Sequence, residues 1–395
     1  MTKEVGTLHN PGITRIESID VLRGLTIMLM IFVNDVAGIR SAPSWLKHVS
    51  ASTDGMTIPD IVFPAFLFVM GMSIPVAMAR RLESGQHWLR IASHVLFRSV
   101  SLMFIGILTL NRPDDALIGW PRGMWQFLMY ASVFAVWHHV SAPEGGKQRI
   151  SRIVRIAGIV CLAALVVSFK GRDGQWLQRG WWGILGLIGW AYLIAVGIYA
   201  VTKDNRSSLI GEMCLLLSFF IAYHEGKFGR LWLNGSTLGS HPSITVAGVI
   251  TGTLILPGFS GHTERIRWAL VFAAFLFAAG WLLRPLYGVN KIVATPSWCL
   301  WCSAITGAAW AALYWLIDVK GWNRIFRICK NVGTNALFAY LLAPLVYMLF
   351  RIAGIKYFAL GNDALVIGLS RTILFTLFIT LVSGRAGLMG FRLKL

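Results

Sequence analysis

A chain of 395 residues that is 56% hydrophobic and only 13% charged, with a mean hydropathy of +0.65, lies outside the soluble globular class, where about a quarter of residues are charged. Its net charge of +19, from 36 Lys and Arg against 17 Asp and Glu, would point to nucleic acid in a soluble protein. Here the basic residues punctuate apolar runs, the pattern of membrane orientation and lipid contact, which argues against a nucleic-acid partner. The composition predicts a polytopic integral membrane protein, an all-α helical bundle. Because apolar runs repeat to the end without a linker, residues 1–395 read as one transmembrane domain.

Residues 1–19 are polar and lack an apolar core, so no cleavable signal peptide is expected and the first span serves as the targeting signal. Hydropathy predicts about twelve spans, at 20–38, 60–79, 91–110, 122–139, 153–169, 181–201, 208–223, 243–259, 266–283, 297–317, 333–350 and 363–383. The seventh and eighth are short and bear Gly or Ser, so the range is ten to twelve. No internal repeat is visible, which counts against the common inverted-repeat transporters. With an even number of spans, both termini and the even loops share one side. They carry 20 Lys and Arg, against 13 in the odd loops. That bias predicts cytoplasmic termini. Trp181, Trp182, Trp298 and Trp322, near span ends, fit an aromatic belt.

Residues 15–79 organise the chain: two apolar stretches flank one compact polar segment. Asp20 and Arg23 open the first span, Asn34 and Asp35 close it, His48 lies in the loop, and Asp60 opens the second span. Asn34 follows Asp20 by 14 positions and Arg23 by 11, steps that return to nearly the same helix face. At about 1.5 Å per residue, that face carries a charged pair and an amide roughly 21 Å apart. His48 can act as a base near neutral pH, or be acylated itself. Asn34 can donate to a developing oxyanion or fix the imidazole tautomer. Asp60 can cap its helix, orient His48, or both. Asp20 and Arg23 can pair, and Arg23 can meet a phosphate.

Elsewhere the signals are weaker. Asn290 and Lys291 precede the tenth span. Arg98, Glu212 and Arg371 fall inside spans without a partner visible in the sequence, and intramembrane charges are functional candidates by default. His138 and His139 are adjacent and do not share a helix face, so an interfacial position is expected. Cys299 and Cys302 form a CxxC within an apolar run with no second pair, so no metal site is expected. There is no GxGxxG, P-loop or GxSxG, and the His-x4-Asp signature of glycerolipid acyltransferases is absent at His48.

The first block resembles the transmembrane acetyltransferases of the heparan-alpha-glucosaminide N-acetyltransferase family, in a bacterial-type, DUF5009-like form. Ser18, Asp20, Arg23, Gly24, Asn34, His48, Gly55, Thr57, Asp60, Phe63 and Pro64 carry the resemblance. Supporting matches are Asn290-Lys291, Ser297-Trp298, IDVKGW at 317–322, Gly333 and Asn335. The sequence departs from the family in reading Ser-Thr-Asp-Gly at 52–55, where a Trp commonly precedes Asn-Gly, so the acceptor pocket is expected to differ. The resemblance implies an acyltransferase that uses cytoplasmic acetyl-CoA to acetylate a sugar or amino sugar at the extracytoplasmic face. His48, Asn34 and Asp60 would be catalytic. Arg23, Asp20, Asn290 and Lys291 would hold the coenzyme A thioester. Acetyl-CoA is then a co-substrate and no metal is required. A multi-span solute transporter without acyl transfer is the alternative. A homodimer is compatible with the sequence, which does not fix the oligomeric state.

Overall fold

The computed structural model describes residues 16–140, 146–229, 232–256 and 261–395. The apolar runs of the sequence become helices. In chain order these are α1 (Glu17–Val36), α2 (Ile58–Glu83), α3 (Trp88–Leu110), the short α4 (Asp115–Ile118), α5 (Met124–Trp137), α6 (Gly146–Val167), α7 (Gly183–Thr202), α8 (Arg206–His224), α9 (His241–Thr253), α10 (His262–Tyr287), α11 (Pro296–Tyr314), α12 (Arg327–Gly333), α13 (Ala336–Ile352) and α14 (Leu365–Leu388). Two three-residue strands, β1 (His138–Val140) and β2 (Phe391–Leu393), pair antiparallel with His139 opposite Arg392.

Among the described residues, eight helices are long and apolar enough to cross a membrane: α2, α3, α6, α7, α8, α10, α11 and α14. The pair α12–α13, bent by 86°, would make a ninth. The expected count of about twelve is therefore not established, for identifiable reasons. α1 carries Glu17, Asp20, Arg23 and Asp35 within its 20 residues. α5 has only 14 residues, and α9 has 13, preceded by a π-helical turn at Ser236–Ser240. The predicted span at 333–350 is broken at Thr334 and Asn335. An outer layer is apolar toward its surroundings: α6 and α10 bury only 17% and 22% of their spans against protein. Large aromatic side chains, including Trp125, Trp298, Trp310 and Tyr314, are fully buried in the interior. Apolar outside and tightly packed inside, this is an integral membrane protein.

Close helix pairs are made by glycines, as expected where van der Waals contact drives association in lipid. A β-carbon at Gly71 of α2 would lie 2.0 Å from the carbonyl oxygen of Thr245 in α9, and one at Gly248 would meet that of Phe68 at the same distance. Gly24 on α1 and Gly333 on α12 do the same for that pair, at 1.8 Å from Cys329 O and 1.9 Å from Asp20 O. The N-terminus of α1 is capped from far away: the Asp318 carboxylate accepts from the backbone N–H groups of Glu17 and Ser18 at 3.0 and 3.1 Å. Trp310 Nε1 donates to the Ser18 hydroxyl at 3.2 Å. So Ser18, Gly24, Asp318 and Gly333 serve to seat α1.

The other end of α1 is seated by charge. Arg371, which had no visible partner in the sequence, pairs with Asp35 at 2.9 Å, both side chains nearly inaccessible. Asp35 also accepts from Thr372 and from the hydroxyls of Tyr347 (2.7 Å) and Tyr357 (3.0 Å), and Arg371 donates to Leu360 O at 2.8 Å. This network ties α1 to α13, α14 and the segment between them. Arg98 stacks over Tyr192, 4.7 Å from the ring centre. His138, expected at an interface, is instead buried, donating from Nδ1 to Ala135 O at 2.6 Å with Nε2 2.7 Å from the Ser151 hydroxyl.

Candidate active site

The loop after α1 and the loop before α11 are stitched together backbone to side chain. Asp54 accepts from Val289 N at 2.7 Å and pairs with Arg284 Nε at 3.1 Å. Gly55 N donates to Val289 O at 2.8 Å. Asn290 is the latch. Its amide donates to Ser50 O and Thr53 O at 2.8 and 2.9 Å, and its Oδ1 accepts from Ile292 N and Val293 N at 2.8 and 3.1 Å. With both donors and the acceptor used and the side chain buried, Asn290 holds the loop rather than offering a free group.

That stitching sets His48 against the start of α2. Asp60, fully buried, sits at the third helical position of a capping box with Thr57. Its Oδ2 accepts from Thr57 N at 3.0 Å and faces the Thr57 hydroxyl at 2.9 Å, while Oδ1 lies 2.7 Å from His48 Nδ1. One carboxylate therefore caps the helix and orients the imidazole. The pair fixes the tautomer: Nδ1 carries the proton toward Asp60, leaving the Nε2 lone pair for chemistry. Lys291 brings its ammonium to 3.3 Å from both ring nitrogens. Burial pulls its pKa below the ordinary lysine value, and nearby Asp60 opposes that shift. Behind the pair, Trp298 Nε1 donates to Asp60 O at 3.1 Å, and His241 packs edge-on against Phe63 at 5.3 Å. His241 opens α9, and nothing in its local sequence marked it as a neighbour of this cluster.

Asn34 is not in this cluster. Between it and His48 the chain passes through a separate apolar knot of Val36, Ile39, Ala42 and Leu46. Asn34 lies instead with Arg23 on the face of α1 where the helical spacing puts it, and that face lines cavities. Arg23, Ile27 and Met30 line one of about 280 Å³, together with Ser73, Arg81, His94, Arg98 and Tyr340. Met30 and Tyr340 also line a second, of about 310 Å³, with Asn34, Arg112, Tyr130 and Tyr347. Arg112, Tyr130 and Tyr347 pass on to a third, of about 510 Å³, bordered by Arg351 and Lys356. Arg23 pairs with Asp20 at 3.1 Å, as the i, i+3 spacing predicts, and donates to the Ser73 hydroxyl at 2.6 Å. The seven candidate residues thus fall into two groups. His48, Asp60, Lys291 and Asn290 converge where two loops meet, and Asp20, Arg23 and Asn34 line the α1 face.

A multi-span membrane protein with a buried carboxylate–histidine pair is the class that fold and site define. A family model described as a domain of unknown function (DUF5009) matches residues 15–234, more than half of the sequence, and the chain belongs to that family. Two curated proteins are also similar, both named heparan-alpha-glucosaminide N-acetyltransferase. The human one is 40% identical and the mouse one 38% identical, each over 98 residues. The matched stretch is 25% of this chain and 14% of the length of each relative.

Proposed function

We propose that this chain is a transmembrane acetyltransferase that takes acetyl-CoA from the cytoplasmic side and acetylates a sugar or amino sugar at the opposite face of a bacterial inner membrane. The observation that carries the reading is the His48–Asp60 pair at 2.7 Å, set in a segment that resembles the heparan-alpha-glucosaminide N-acetyltransferase family. An acceptor amine or hydroxyl gives its proton to His48 Nε2 as its nitrogen or oxygen bonds to the thioester carbonyl carbon. The carbon–sulfur bond then breaks, and the sulfur leaves with a proton as free coenzyme A. In the covalent route, Nε2 attacks the carbonyl first, the carbon–sulfur bond breaks and coenzyme A leaves, and the acceptor then takes the acetyl group as its bond to Nε2 breaks. Asp60 holds the ring in either case. Asn34, outside the His48 cluster, would line the α1 path along which the coenzyme arm approaches rather than meet the reacting carbonyl.

The cationic cavity at the Arg23 end suits the phosphates of coenzyme A. Arg23→Ala is expected to weaken coenzyme A by about ten- to a hundredfold, the loss of one charged hydrogen bond, while pantetheine analogues lacking phosphate are little affected. Calorimetry on the purified protein measures both. Equal losses for all analogues would make Arg23 a purely structural partner of Asp20 and Ser73.

The bias of basic residues, 20 against 13 on the expected twelve spans, supports an outer position for the His48 loop. A cysteine placed at exposed Ser50 is expected to react with an impermeant maleimide on intact cells, and one at exposed Ser84 to stay unlabelled. The reverse pattern would reject transfer across the membrane.

The succession of cavities along α1 also suits a solute transporter, the second reading. Labelled acetyl-CoA supplied with glucosamine separates the two. An acetyltransferase releases coenzyme A and labels the sugar, whereas a transporter consumes no thioester.

A further inference from the structure

The resemblance assigns Lys291 to the coenzyme, but its position in this fold speaks for another partner. Its Nζ stands 3.3 Å from both Nδ1 and Nε2 of His48. A point in the ring plane at that distance from both nitrogens would overlap the carbon between them, so the ammonium lies over the face of the imidazole. From there it does not occupy the Nε2 lone pair, which points outward in the ring plane. Asn290, one residue earlier, holds the backbone of this loop on the His48 loop through Ser50 and Thr53.

Count the charges around the ring. Asp60 contributes a buried carboxylate at 2.7 Å from Nδ1, and Lys291 an ammonium at 3.3 Å. The other charged groups nearby have partners of their own: Asp54 is held by Arg284 and Val289 N, and Lys47 donates to Arg40 O. From α11 the Cys302 thiol comes within electrostatic reach of Lys291. The carboxylate at Nδ1 and the ammonium over the ring face hold the imidazole from two directions and leave Nε2 uncovered.

We infer that Lys291 is a positioning residue for His48, holding the imidazole in place with its Nε2 free, and that it makes no contact with coenzyme A. This rests on His48 being the reactive group of the proposed acetyltransferase. The test uses the full chain in detergent and diethyl pyrocarbonate, which modifies an accessible imidazole nitrogen, with modification at His48 followed by mass spectrometry. Lys291→Met is expected to slow modification of His48 about tenfold, and Lys291→Arg to restore most of it. Coenzyme A binding, measured by calorimetry, is expected to stay unchanged in both variants, which also shows that they are folded. With acetyl-CoA and glucosamine, Lys291→Met is expected to lower kcat with an unchanged KM for acetyl-CoA. An unchanged or faster modification rate in Lys291→Met, or a loss of coenzyme A affinity with that rate retained, overturns the assignment. Parent protein that transfers no acetyl group overturns the functional reading instead, and leaves the modification result to decide the role of Lys291.

Discussion

His48→Ala is expected to slow acetyl transfer by about 10²–10⁴-fold, the usual contribution of a positioned general base, while coenzyme A affinity stays near the parent value. The geometry gives the reason for both halves. The imidazole is fixed by Asp60 at 2.7 Å, on a loop that Asn290 and Asp54 lock in place without help from the His48 side chain. Its removal therefore takes away the proton acceptor and leaves the loop standing. The cationic cavity at the Arg23 end draws its charged groups from α1, α2 and α3, is completed by α7, α13 and the C-terminal segment, and does not include His48. A steady-state assay with labelled acetyl-CoA and a sugar amine measures the rate, and calorimetry measures the affinity. Full activity in His48→Ala would move the active site elsewhere in the chain.

The second large effect is on stability. Arg371→Met is expected to destabilise the protein by about 3–5 kcal/mol, because it leaves a buried carboxylate without its cation. Asp35 is fully inaccessible, and its remaining partners, Thr372, Tyr347 and Tyr357, are neutral hydroxyls. The expected readout is a clear fall in the thermal midpoint in detergent. The double variant Asp35→Asn, Arg371→Met should recover part of the loss, since no ion is then stranded. An unchanged midpoint in Arg371→Met would mean that water reaches the pair.

What could be read from the sequence followed from distance along the chain. The apolar runs become helices because their length and hydropathy are local properties. The Asp20–Arg23 pair followed from three-residue spacing, and the Arg23–Asn34 face from helical periodicity. His48 and Asp60 are 12 positions apart across one loop, so their meeting was within reach of sequence reasoning. Lys291 meets His48 across 243 residues and Arg371 meets Asp35 across 336, contacts that only the packed bundle creates. Asn34 was expected near His48 because it closes the first span just before the His48 loop, but an apolar knot of Val36, Ile39, Ala42 and Leu46 gives each its own surroundings. The number of spans was hardest to read. Hydropathy does not see an 86° bend, a π-helical turn, or four charges in a helix that is otherwise long enough.

The cavities along α1 are cationic at their two ends, with Arg23, Arg81 and Arg98 at one and Arg112, Arg351 and Lys356 at the other. Where the first two adjoin, the walls they share are a thioether and a phenol, Met30 and Tyr340. A hydrated ion entering that waist would shed its water against side chains that cannot replace it, and any cation would first be repelled at the mouth. A group passed through the waist on a neutral carrier arm meets neither barrier. On the proposed acetyl transfer, that arrangement would hand a chemical group from one compartment to the other while keeping the two electrically insulated.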